Sequence, residues 1–573
     1  MPIVGTKIRP PSFSELYTPK LITVLREGYG AKAFRADALA GLTVAIVALP
    51  LSMAIAIASG VPPERGLYAA IIGGFVVSAL GGSRFQIGGP AGAFIVLVAA
   101  SVHEHGVDGV ILATTLAGVM LAAAGFLRLG GYVQLIPYPV TVGFTAGIAA
   151  IILVSQIKDL LGLAVPSPEP GPVFEKLQAD FAALETANMH AAGVAAVTIA
   201  VIAGLKRWRP AFPGMLIALA GTSAAVALLD LPVETIADRF GDIPSGLPLP
   251  QAPVFSFEKA VAVLPDAFAF FLLGAIESLL SATVADGMTG RRHRANCELV
   301  AQGAANVATA LFGGIVVTGT IARTATNIRA GAHGPVAGIM HSAFLLLFML
   351  VAAPLIGLAP LASLAGVLVV VAWNMVERHA FAALLRASPG DAAALLVTLF
   401  LTVFSDLTTA IMAGVAIGAI AFIARMAQAT EVSLGAPLMR RDAADGAPED
   451  RLAYDSAAAG VGADVAIYRI SGAVFFASAA SLSLALDRIL AGERGLILDF
   501  SETALLDISG AQAIRGFVGK ARRQGLAITI SAAAEPIAAE LRRAGVSEPD
   551  VTFAASIEAA LAEGGTHSPS AAR

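Results

Sequence analysis

The stretch GGIVVTGTIARTATN, residues 313–327, places an arginine where the surrounding hydropathy predicts membrane. Residues 316–320 break the apolar run, and a short helix is predicted from Ala322 to Arg329. A charge at membrane depth is costly and persists mainly where it faces a cavity or a partner. A helix that begins here also offers unpaired backbone N–H groups and the positive end of its dipole. Arg323 and this helix start therefore predict an anion site.

The composition indicates a large membrane domain with a smaller soluble part. The chain has 573 residues, of which 57% are hydrophobic and 14% charged, and only its C-terminal part mixes charged and apolar positions as soluble domains do. This predicts a polytopic membrane protein. The expected divisions are a cytoplasmic N-terminal segment 1–35, a membrane transport domain 36–430, a linker 431–462, a soluble α/β domain 463–563 and a disordered tail 564–573.

The net charge, the cysteine content and the lack of certain motifs argue against several other functional classes. The net charge of −4 indicates no nucleic-acid partner, and the single Cys297 excludes an intrachain disulfide and a multi-cysteine metal site. The histidines show no metal-ligand spacing. We find no nucleophile–base constellation and no phosphate-binding loop, so neither an enzyme nor a cofactor is predicted. The polar N-terminus carries no signal-peptide pattern, so none is expected to be cleaved.

Fourteen apolar segments are predicted between residues 36 and 427. They lie near 37–59, 66–82, 90–101, 110–127, 138–155, 191–205, 212–230, 263–285, 297–312, 321–330, 335–353, 360–376, 391–404 and 407–427. Segments 90–101, 321–330 and 360–376 are shorter than the ~20 residues that span a membrane and follow glycine- or proline-broken stretches. Irregular backbone at this depth is tolerated only where it lines a cavity or is buried in protein.

Lysine and arginine are concentrated in alternate loops, which predicts the orientation. The N-terminus and the loops with Arg84, Arg128, 206–209 and 291–294 are basic, whereas the opposite loops are mostly acidic. By the positive-inside rule these basic loops face the cytoplasm. The even number of spans then returns the soluble domain to the cytoplasm. The predicted location is the bacterial inner membrane, with several passes through its lipid.

The two halves of the membrane domain carry similar interruptions. A helix with Ser52 precedes the broken stretch GGSRFQIGGPAGAF (81–94), and a helix with Ser278 precedes the stretch 313–327. Ser52 lies 37 residues before Gly89, and Ser278 lies 42 residues before Thr320. Interrupted segments at corresponding places in two halves indicate a transporter binding site.

Four stretches resemble the SulP family of sulfate-permease-like anion transporters. They are GVPPERGLYAAIIGGFVVSALGGSRFQIGGPAGAF (60–94), ESLLSATVADGMTG (277–290), TGTIARTATNIRAGAHGPVAG (318–338) and, similar to a STAS domain, GLILDFSETALLDISGAQAI (495–514). The resemblance implies two inverted seven-helix repeats with a uracil-permease-like fold, divided into a core and a gate domain. It also implies a substrate between the N-termini of the third and tenth helices, and a homodimer with a cytoplasmic STAS domain.

The predicted anion site joins the two broken segments. Residues 88–93 are expected to open the third helix with Pro90 in its first turn. Thr318 and Thr320 either donate to substrate or bond their own helix backbone, and Arg323 either binds the anion or anchors to a carbonyl or to Glu277. The candidate substrate-binding residues are Ser52, Gly89, Ala91, Gly92, Ala93, Thr320, Ile321, Ala322 and Arg323.

Two residues on one face of the eighth helix are candidates for coupling. Glu277 is an isolated acid in an apolar stretch, and Ser281 follows one turn later. A carboxylate facing the cavity can take up a proton as an anion enters, so H⁺ is the expected coupling ion. Na⁺ is the alternative, because some bicarbonate-transporting relatives have an acid and a hydroxyl here. A permanent bridge from Glu277 to Arg323 is a third interpretation. His341 is interpreted as a packed, hydrogen-bonded residue and not as a proton relay.

The resemblance implies a secondary active transporter of a small inorganic or carboxylate anion, such as bicarbonate, sulfate or a dicarboxylate, with elevator-type alternating access. The alternatives are a Na⁺-coupled bicarbonate symporter, an uncoupled anion channel and a membrane sensor. Leu51 and Ile55 replace a glutamine and an aromatic common in the family, which leaves the substrate open. In the STAS part, Ser509 is a candidate phosphosite or alternatively a helix N-cap, and a cytoplasmic protein partner is expected there.

Overall fold

The computed structural model describes residues 12–131, 137–165, 173–209, 212–405, 407–434, 465–487 and 495–564. The chain forms two compact units, Met1–Ile417 and Gly418–Arg573. Most of the predicted linker, 435–462, and almost all of the predicted tail, 565–573, lie outside the described residues. The beginning of that linker differs from expectation, because Glu431–Leu434 forms a strand.

Fourteen helical segments match the apolar segments predicted from the sequence. In chain order they are α1 (Ala31–Ala58), α2 (Pro63–Tyr68, Ala69–Gly73 and Gly74–Leu80), α3 and α4 (the two parts of Gly92–Phe126), α5 (Tyr138–Ser155), α6 (Met189–Trp208), α7 (Gly214–Leu228), α8 (Leu264–Thr289), α9 (Ala295–Leu311), α10 (Ile321–Arg329), α11 (Val336–Gly357), α12 (Leu361–Met375), α13 (Pro389–Phe404) and α14 (Leu407–Gln428). Eight helices in the described residues are long and apolar enough to cross a membrane.

Shorter helical elements connect these segments. They are Phe13–Tyr17, Lys20–Arg26, Ile157–Leu161, Val173–Ala182, Ile236–Phe240, Phe257–Ala262 and Arg378–Arg386, with 3-10 turns at Leu129–Gly131 and Leu184–Thr186. Gly106, with φ +67° and ψ −177°, interrupts the long run Gly92–Phe126 and divides α3 from α4. A side chain is strained at this φ, so glycine suits the break.

Two short strands lie between helices in the membrane unit. They are β1 (Gly88–Gly89), which precedes α3, and β2 (Thr318–Gly319), which precedes α10, and they pair antiparallel. The glycine-rich and proline-bearing stretches cannot continue a helix. Pairing the two strands satisfies backbone groups that would otherwise be unsatisfied at this depth.

The membrane helices pack in two groups. In the first, α9 packs on α4, α11 on α1, and α8 on the α3–α4 run. In the second, α13 packs on α5 and α6 packs on α7 and α12. Small residues allow the closest contacts, as at Gly118 and Gly303, where a Cβ on either residue would lie under 3.0 Å from the other's carbonyl oxygen. The division of the membrane domain into a core and a gate stays a prediction.

A π-helical turn, Ala69–Gly73, brings α2 against both strands. A Cβ on Gly73 would lie 2.7 Å from Val317, just before β2. A Cβ on the next residue, Gly74, would lie 3.0 Å from the carbonyl oxygen of Gly88 in β1. The glycine pair therefore lets the backbone of α2 approach the strands closely. Such single π-turns often occur at functional sites.

The N-terminal segment is held on the membrane unit by hydrogen bonds. The Tyr17 hydroxyl donates to the carbonyl of Gly125 (3.0 Å), and Arg294 donates to the carbonyl of Thr18 (2.8 Å). Glu27 pairs with Arg84. The hydrogen bond from that guanidinium holds the pKa of the Glu27 carboxyl below its usual value.

The second unit contains an α/β domain, as the alternation of strands and helices predicts. Its strands are β3 (Glu431–Leu434), β4 (Val465–Val474), β5 (Gly495–Asp499), β6 (Thr503–Leu506), β7 (Ala527–Ser531) and β8 (Thr552–Ala554), and its helices are α15 (Phe476–Asp487), α16 (Ile508–Arg523), α17 (Glu535–Arg543) and α18 (Ile557–Gly564). The sheet order is β3-β4-β5-β7-β8 with β6 also paired to β4, and only β3 runs antiparallel. Leu498, Ile514 and Phe517 lie in its buried core.

Candidate functional site

The β1–β2 pair places the starts of α3 and α10 side by side. Gly88 pairs with Gly319 and Gly89 pairs with Thr318. Each helix starts within three residues of its strand. Because the strands are antiparallel, the two helices leave the pair in opposite directions with their N-termini near each other. The sequence predicted both breaks, but not that they form a strand pair.

The start of α3 has unused N–H groups. It opens with the 3-10 turn Gly92–Phe94, and its N-cap residue Ala91 provides no side-chain cap. Phe94 N–H donates to the carbonyl of Ala91 (3.0 Å). Within the described residues, the N–H groups of Gly92 and Ala93 have no recorded acceptor. Pro90 was expected in the first helical turn and instead lies before the helix, between β1 and Ala91.

The start of α10 is similarly open. Its N-cap residue Thr320 makes no side-chain cap. Its N–H and its hydroxyl both donate to the carbonyl of Ile87, at 3.0 and 3.1 Å. The first backbone bond of the helix runs from Thr324 to Thr320 (2.9 Å). The N–H groups of Ile321, Ala322 and Arg323 therefore have no acceptor among the residues that the structure describes. Thr320 was a candidate ligand; both of its donors bond the other broken segment, and its role in substrate binding stays a prediction.

Arg323 is a nearly enclosed cation with incomplete hydrogen bonding. Its side chain is 2% exposed. Nη2 donates to Ser52 Oγ (3.1 Å) and to the carbonyl of Pro90 (3.3 Å). Nε and Nη1 have no hydrogen-bond partner in the part of the chain that the structure describes. No carboxylate of the described residues lies within ion-pair distance of this guanidinium. A buried charge without a partner is costly, so an anion is its natural complement.

These contacts decide between the interpretations of Arg323. The carbonyl anchor exists, at Pro90, and it uses one guanidinium nitrogen. The bridge to Glu277 does not form. Leu51 and Ile55, which flank Ser52 on α1, are both buried. Ser52 is therefore the polar group that α1 contributes beside Arg323.

In the middle of α8, Glu277 differs from the neighbouring serines in its lack of a partner among the described residues. Ser278 Oγ bonds Thr318 Oγ1 (2.7 Å) and accepts from Gly319 N–H (3.2 Å). Ser281 Oγ donates to Thr324 Oγ1 (3.3 Å). Glu277 is 8% exposed, and in the part of the chain that the structure describes no donor or cation bonds its carboxylate. The serines of α8 hold the second broken segment, whereas Glu277 remains available.

A polar stripe on α9, formed by Glu298, Gln302 and Asn306, was missed from the sequence. The Glu298 carboxylate is fully buried. It accepts hydrogen bonds from the N–H groups of Gly82 (2.9 Å) and Ser83 (3.1 Å), and from the side-chain amides of Gln86 (2.8 Å) and Gln302 (3.0 Å). All of these donors are neutral. Glu298 therefore holds the loop that leads into β1.

Asn306 holds the segment before β2 by hydrogen bonds, as Glu298 holds the loop before β1. Its side chain donates to the carbonyl of Val317 (2.9 Å) and accepts from Val317 N–H (2.8 Å). It also donates to the carbonyl of Gln302 (2.9 Å). The signal was available in the sequence, because three polar residues at four-residue spacing in an apolar helix lie on one face.

The helix α10 also holds the segment before β1. Thr324 Oγ1 accepts from the N–H of Ile87 (3.1 Å). Asn327 donates from its side-chain amide to the carbonyl of Phe85 (2.9 Å). Together with α9, these bonds fix both broken segments to each other and to the helices behind them. The N–H groups at the helix starts are thus held in place before any ligand arrives, which favours binding.

A cavity of about 710 Å³ lies beside α8. It is lined by Ile276, Leu279 and Thr283 of α8, by Thr141 of α5 and by Arg291 and Arg292. Since α5 and α8 belong to different packing groups, this cavity lies between the groups. It extends from the charged residues Asp286, Arg291 and Arg292 to Ile276, the neighbour of Glu277 in the chain.

In the second unit, Ser509 is half-buried at the second position of α16. The N-cap of this helix is Asp507, whose side chain accepts from Gly510 N–H (2.8 Å) and Phe476 N–H (3.0 Å). The alternative that Ser509 is itself the N-cap is therefore wrong. Its assignment as a phosphosite stays a prediction.

The fold and the site define a multi-pass membrane protein with two facing half-helices and a separate α/β domain. Residues 34–398 match the sulfate permease family and residues 458–560 match the STAS domain. The chain belongs to the sulfate permease family. This family and the relatives below are transporters, not enzymes.

Two relatives illustrate the range of the family. The chain is 39% identical over 503 residues to a putative sulfate transporter, YvdB, of Bacillus subtilis, covering 87% of this chain and 91% of the relative. It is 32% identical over 404 residues to the bicarbonate transporter BicA of Picosynechococcus, covering 68% of this chain and 70% of the relative.

Solved structures agree with this fold. The transmembrane domain of a cyanobacterial bicarbonate transporter BicA matches with a TM-score of 0.62 at 32% identity, covering 67% of this chain and 98% of that one. The murine Slc26a9 anion transporter, in its inward-facing state, matches with a TM-score of 0.83 at 19% identity, over 98% and 96% of the two chains. At this identity the second match shows the fold alone.

Proposed function

We propose that this protein is a secondary active transporter of small inorganic or carboxylate anions, which bind between the starts of α3 and α10. One observation carries the proposal: the buried Arg323 guanidinium has two nitrogens without partners and lies beside the open N-termini of both half-helices. Helix starts and a permanent cation attract the same kind of ligand.

The donors at the site suit an anion with several oxygen acceptors. The N–H groups of Gly92, Ala93, Ile321 and Ala322 lie at the starts of the two helices, and Arg323 adds its guanidinium. We therefore infer bicarbonate, sulfate or a dicarboxylate as the substrate class, in keeping with the bicarbonate and sulfate transporters among the relatives. Because Leu51 and Ile55 are apolar and buried, Ser52 is the residue of this part of α1 that offers a polar group to the anion site.

The coupling ion in this proposal is H⁺, taken up by Glu277. Its carboxylate has no partner among the described residues, and uptake of a proton would offset the charge of an entering anion. A Na⁺ site would need several oxygen ligands. Ser281, the second candidate ligand, donates its hydroxyl to Thr324. Na⁺-coupled bicarbonate symport is therefore the second candidate function.

For alternating access we propose an elevator motion. The two packing groups meet where α12 and α7 pack on α1, and the cavity of about 710 Å³ is lined by residues of α5 and α8. A sliding motion of the first group against the second would carry the site across the membrane. We place the protein in the bacterial inner membrane as a homodimer. The basic loops, the N-terminal segment and the STAS domain then face the cytoplasm.

The test is uptake of labelled bicarbonate, sulfate and succinate into proteoliposomes, with and without pH and Na⁺ gradients. Wild-type protein should concentrate at least one anion when a pH gradient is imposed. Arg323→Ala should lower its uptake at least about tenfold, since a charge-assisted contact contributes about 1.5–3 kcal/mol. Arg386→Ala, at an exposed arginine, is the control. Normal uptake by Arg323→Ala would refute the site, and current independent of every cation gradient would indicate a channel.

A further inference from the structure

A second group of unsatisfied polar atoms lies behind β1. His341 of α11 is fully buried, and neither ring nitrogen has a hydrogen-bond partner among the described residues. The hydroxyls of Ser342 and of Ser78 are also buried and unpaired. The expectation that His341 is a hydrogen-bonded packing residue is therefore wrong. Buried polar groups nearly always have hydrogen-bond partners, so this group of unpaired atoms needs an explanation.

The unsatisfied atoms converge on Gly74 of α2. A Cβ built on Gly74 would lie 2.9 Å from Ser342 Oγ, 3.0 Å from the carbonyl oxygen of Gly88 and 3.6 Å from His341 Nδ1. Three polar groups from α11 and β1 thus surround one point where α2 has no side chain. We name Gly74, Gly88, His341 and Ser342 the rear cluster.

The strand β1 separates the rear cluster from the anion site. Gly88 presents its carbonyl to the rear cluster, and a Cβ on the next residue, Gly89, would lie 2.3 Å from Arg323 Nη1. His341 and Arg323 therefore approach adjacent residues of the same strand. Their charges would repel each other if His341 were protonated while the anion site was empty.

Among the described residues, the other elements packed against α11 supply no acid free to pair with His341; the charged residues of α1 are Lys32, Arg35 and Asp37. The acid on α1 is Asp37, whose carboxylate is bonded by Tyr29 and by the N–H groups of His333 and Gly334. The parts Ala69–Gly73 and Gly74–Leu80 of α2 contain no charged residue.

At the far end of α11, the short helix Ile236–Phe240 approaches Gly357 through Ala237. Its charged residues are Asp238 and Arg239. Arg323 is therefore the charged group near His341 whose charge an anion at the site can neutralise.

We propose that the rear cluster is a proton site linked to the anion site, which rests on the proposed anion transport. With the site empty, the His341 ring is neutral, and its Nδ1 lies near Gly74 together with Ser342 Oγ and the carbonyl oxygen of Gly88. When an anion neutralises Arg323, the ring takes a proton from water, and Nδ1–H donates to the carbonyl of Gly88. The proton leaves when the anion leaves. His341 is then a second coupling residue beside Glu277.

Such a link must act in both directions. If anion binding favours the proton, lower pH must favour the anion by the same factor. One linked proton changes anion affinity by at most about tenfold per pH unit. Protonation of Glu277 would give a similar pH dependence of anion affinity, so the test uses a variant in which Glu277 is replaced.

The test uses full-length Glu277→Gln protein and the double variant Glu277→Gln/His341→Gln, purified in detergent. Sulfate and succinate are the probes, and binding is measured by calorimetry at several pH values. A pH-indicator dye in weak buffer reports proton uptake. Glu277→Gln should take up protons on binding and bind more tightly at lower pH. The double variant should bind the anion and lose both effects.

Each result decides the proposal. Glu277→Gln protein that binds an anion without proton uptake overturns it, even if the double variant does not fold. A double variant that keeps the pH dependence overturns it as well. If wild-type protein binds neither probe and transports no anion in the uptake assay, the proposed function fails and this inference fails with it.

Discussion

The Arg323 guanidinium lies directly against Gly89, since a Cβ at position 89 would be 2.3 Å from Nη1 and 3.4 Å from Cζ. No side chain can occupy that position without displacing the arginine. Ser52 and the carbonyl of Pro90 hold the same guanidinium through Nη2. Gly89 in the first broken segment thus sets the position of the Arg323 guanidinium, which belongs to the second broken segment.

Gly89→Ala should therefore impair transport without removing any charged or polar side chain. The added methyl group would push the guanidinium away from the two helix starts. We expect at least a tenfold rise in the KM for anion uptake, measured in proteoliposomes, with little change in the amount of folded protein. Gly193→Ala, in α6 with nothing within 4 Å of its Cβ, is the control. Unchanged uptake by Gly89→Ala would mean that this contact does not position Arg323.

Glu298→Gln should destabilise the membrane unit. The carboxylate accepts four hydrogen bonds from neutral donors, whereas an amide offers one acceptor oxygen and adds two donors. About two buried N–H groups would lose an acceptor, at a cost of about 2–4 kcal/mol. The melting temperature in detergent should fall, and the uptake rate should fall because the loop before β1 is no longer held.

The control for this change is Glu258→Gln, which removes an exposed glutamate on the short helix Phe257–Ala262. It should leave both the melting temperature and uptake unchanged. An equal melting temperature for Glu298→Gln and wild type would show that the four hydrogen bonds contribute little to stability.

The helices of this fold could be predicted from the sequence, because hydropathy and Gly/Pro punctuation are local signals. The segment 321–330 was expected as a short helix, and α10 spans Ile321–Arg329. The pairing of Gly88 with Gly319 could not be predicted in this way. Strands of two residues have no periodicity, and their partners lie far apart in the chain.

The hydrogen-bond partners of side chains were also predicted less well, because these partners lie far apart in the chain. Thr320 was expected either to donate to substrate or to bond its own helix backbone, and the structure shows a third partner, the carbonyl of Ile87 in the other broken segment. The stripe Glu298, Gln302 and Asn306 has a local pattern and could have been recognised. The unsatisfied ring of His341 depends on three separate elements. Only the structure brings these elements together.

Glu277→Gln should uncouple uptake from an imposed pH gradient. The amide has nearly the shape of the carboxyl group but cannot take up a proton. We expect anion exchange to continue while concentrative uptake falls at least about tenfold, because the gradient no longer drives the cycle. The measurement is uptake with the pH gradient present or collapsed. Gradient-driven accumulation equal to wild type would exclude Glu277 as the coupling residue and leave His341 as the remaining candidate.

Removal of the residues after Thr430 should leave the membrane unit folded. The STAS domain has its own core around Leu498, Ile514 and Phe517. The transmembrane domain of the BicA relative forms a separate chain in its solved structure, and this chain covers 98% of it. We expect the truncated protein to elute as a folded species with a melting temperature near that of full-length protein. Its dimer fraction or transport rate should change. A control that lacks only 565–573 should behave as full-length protein. If the truncation yields no folded membrane protein, the two units depend on each other for folding.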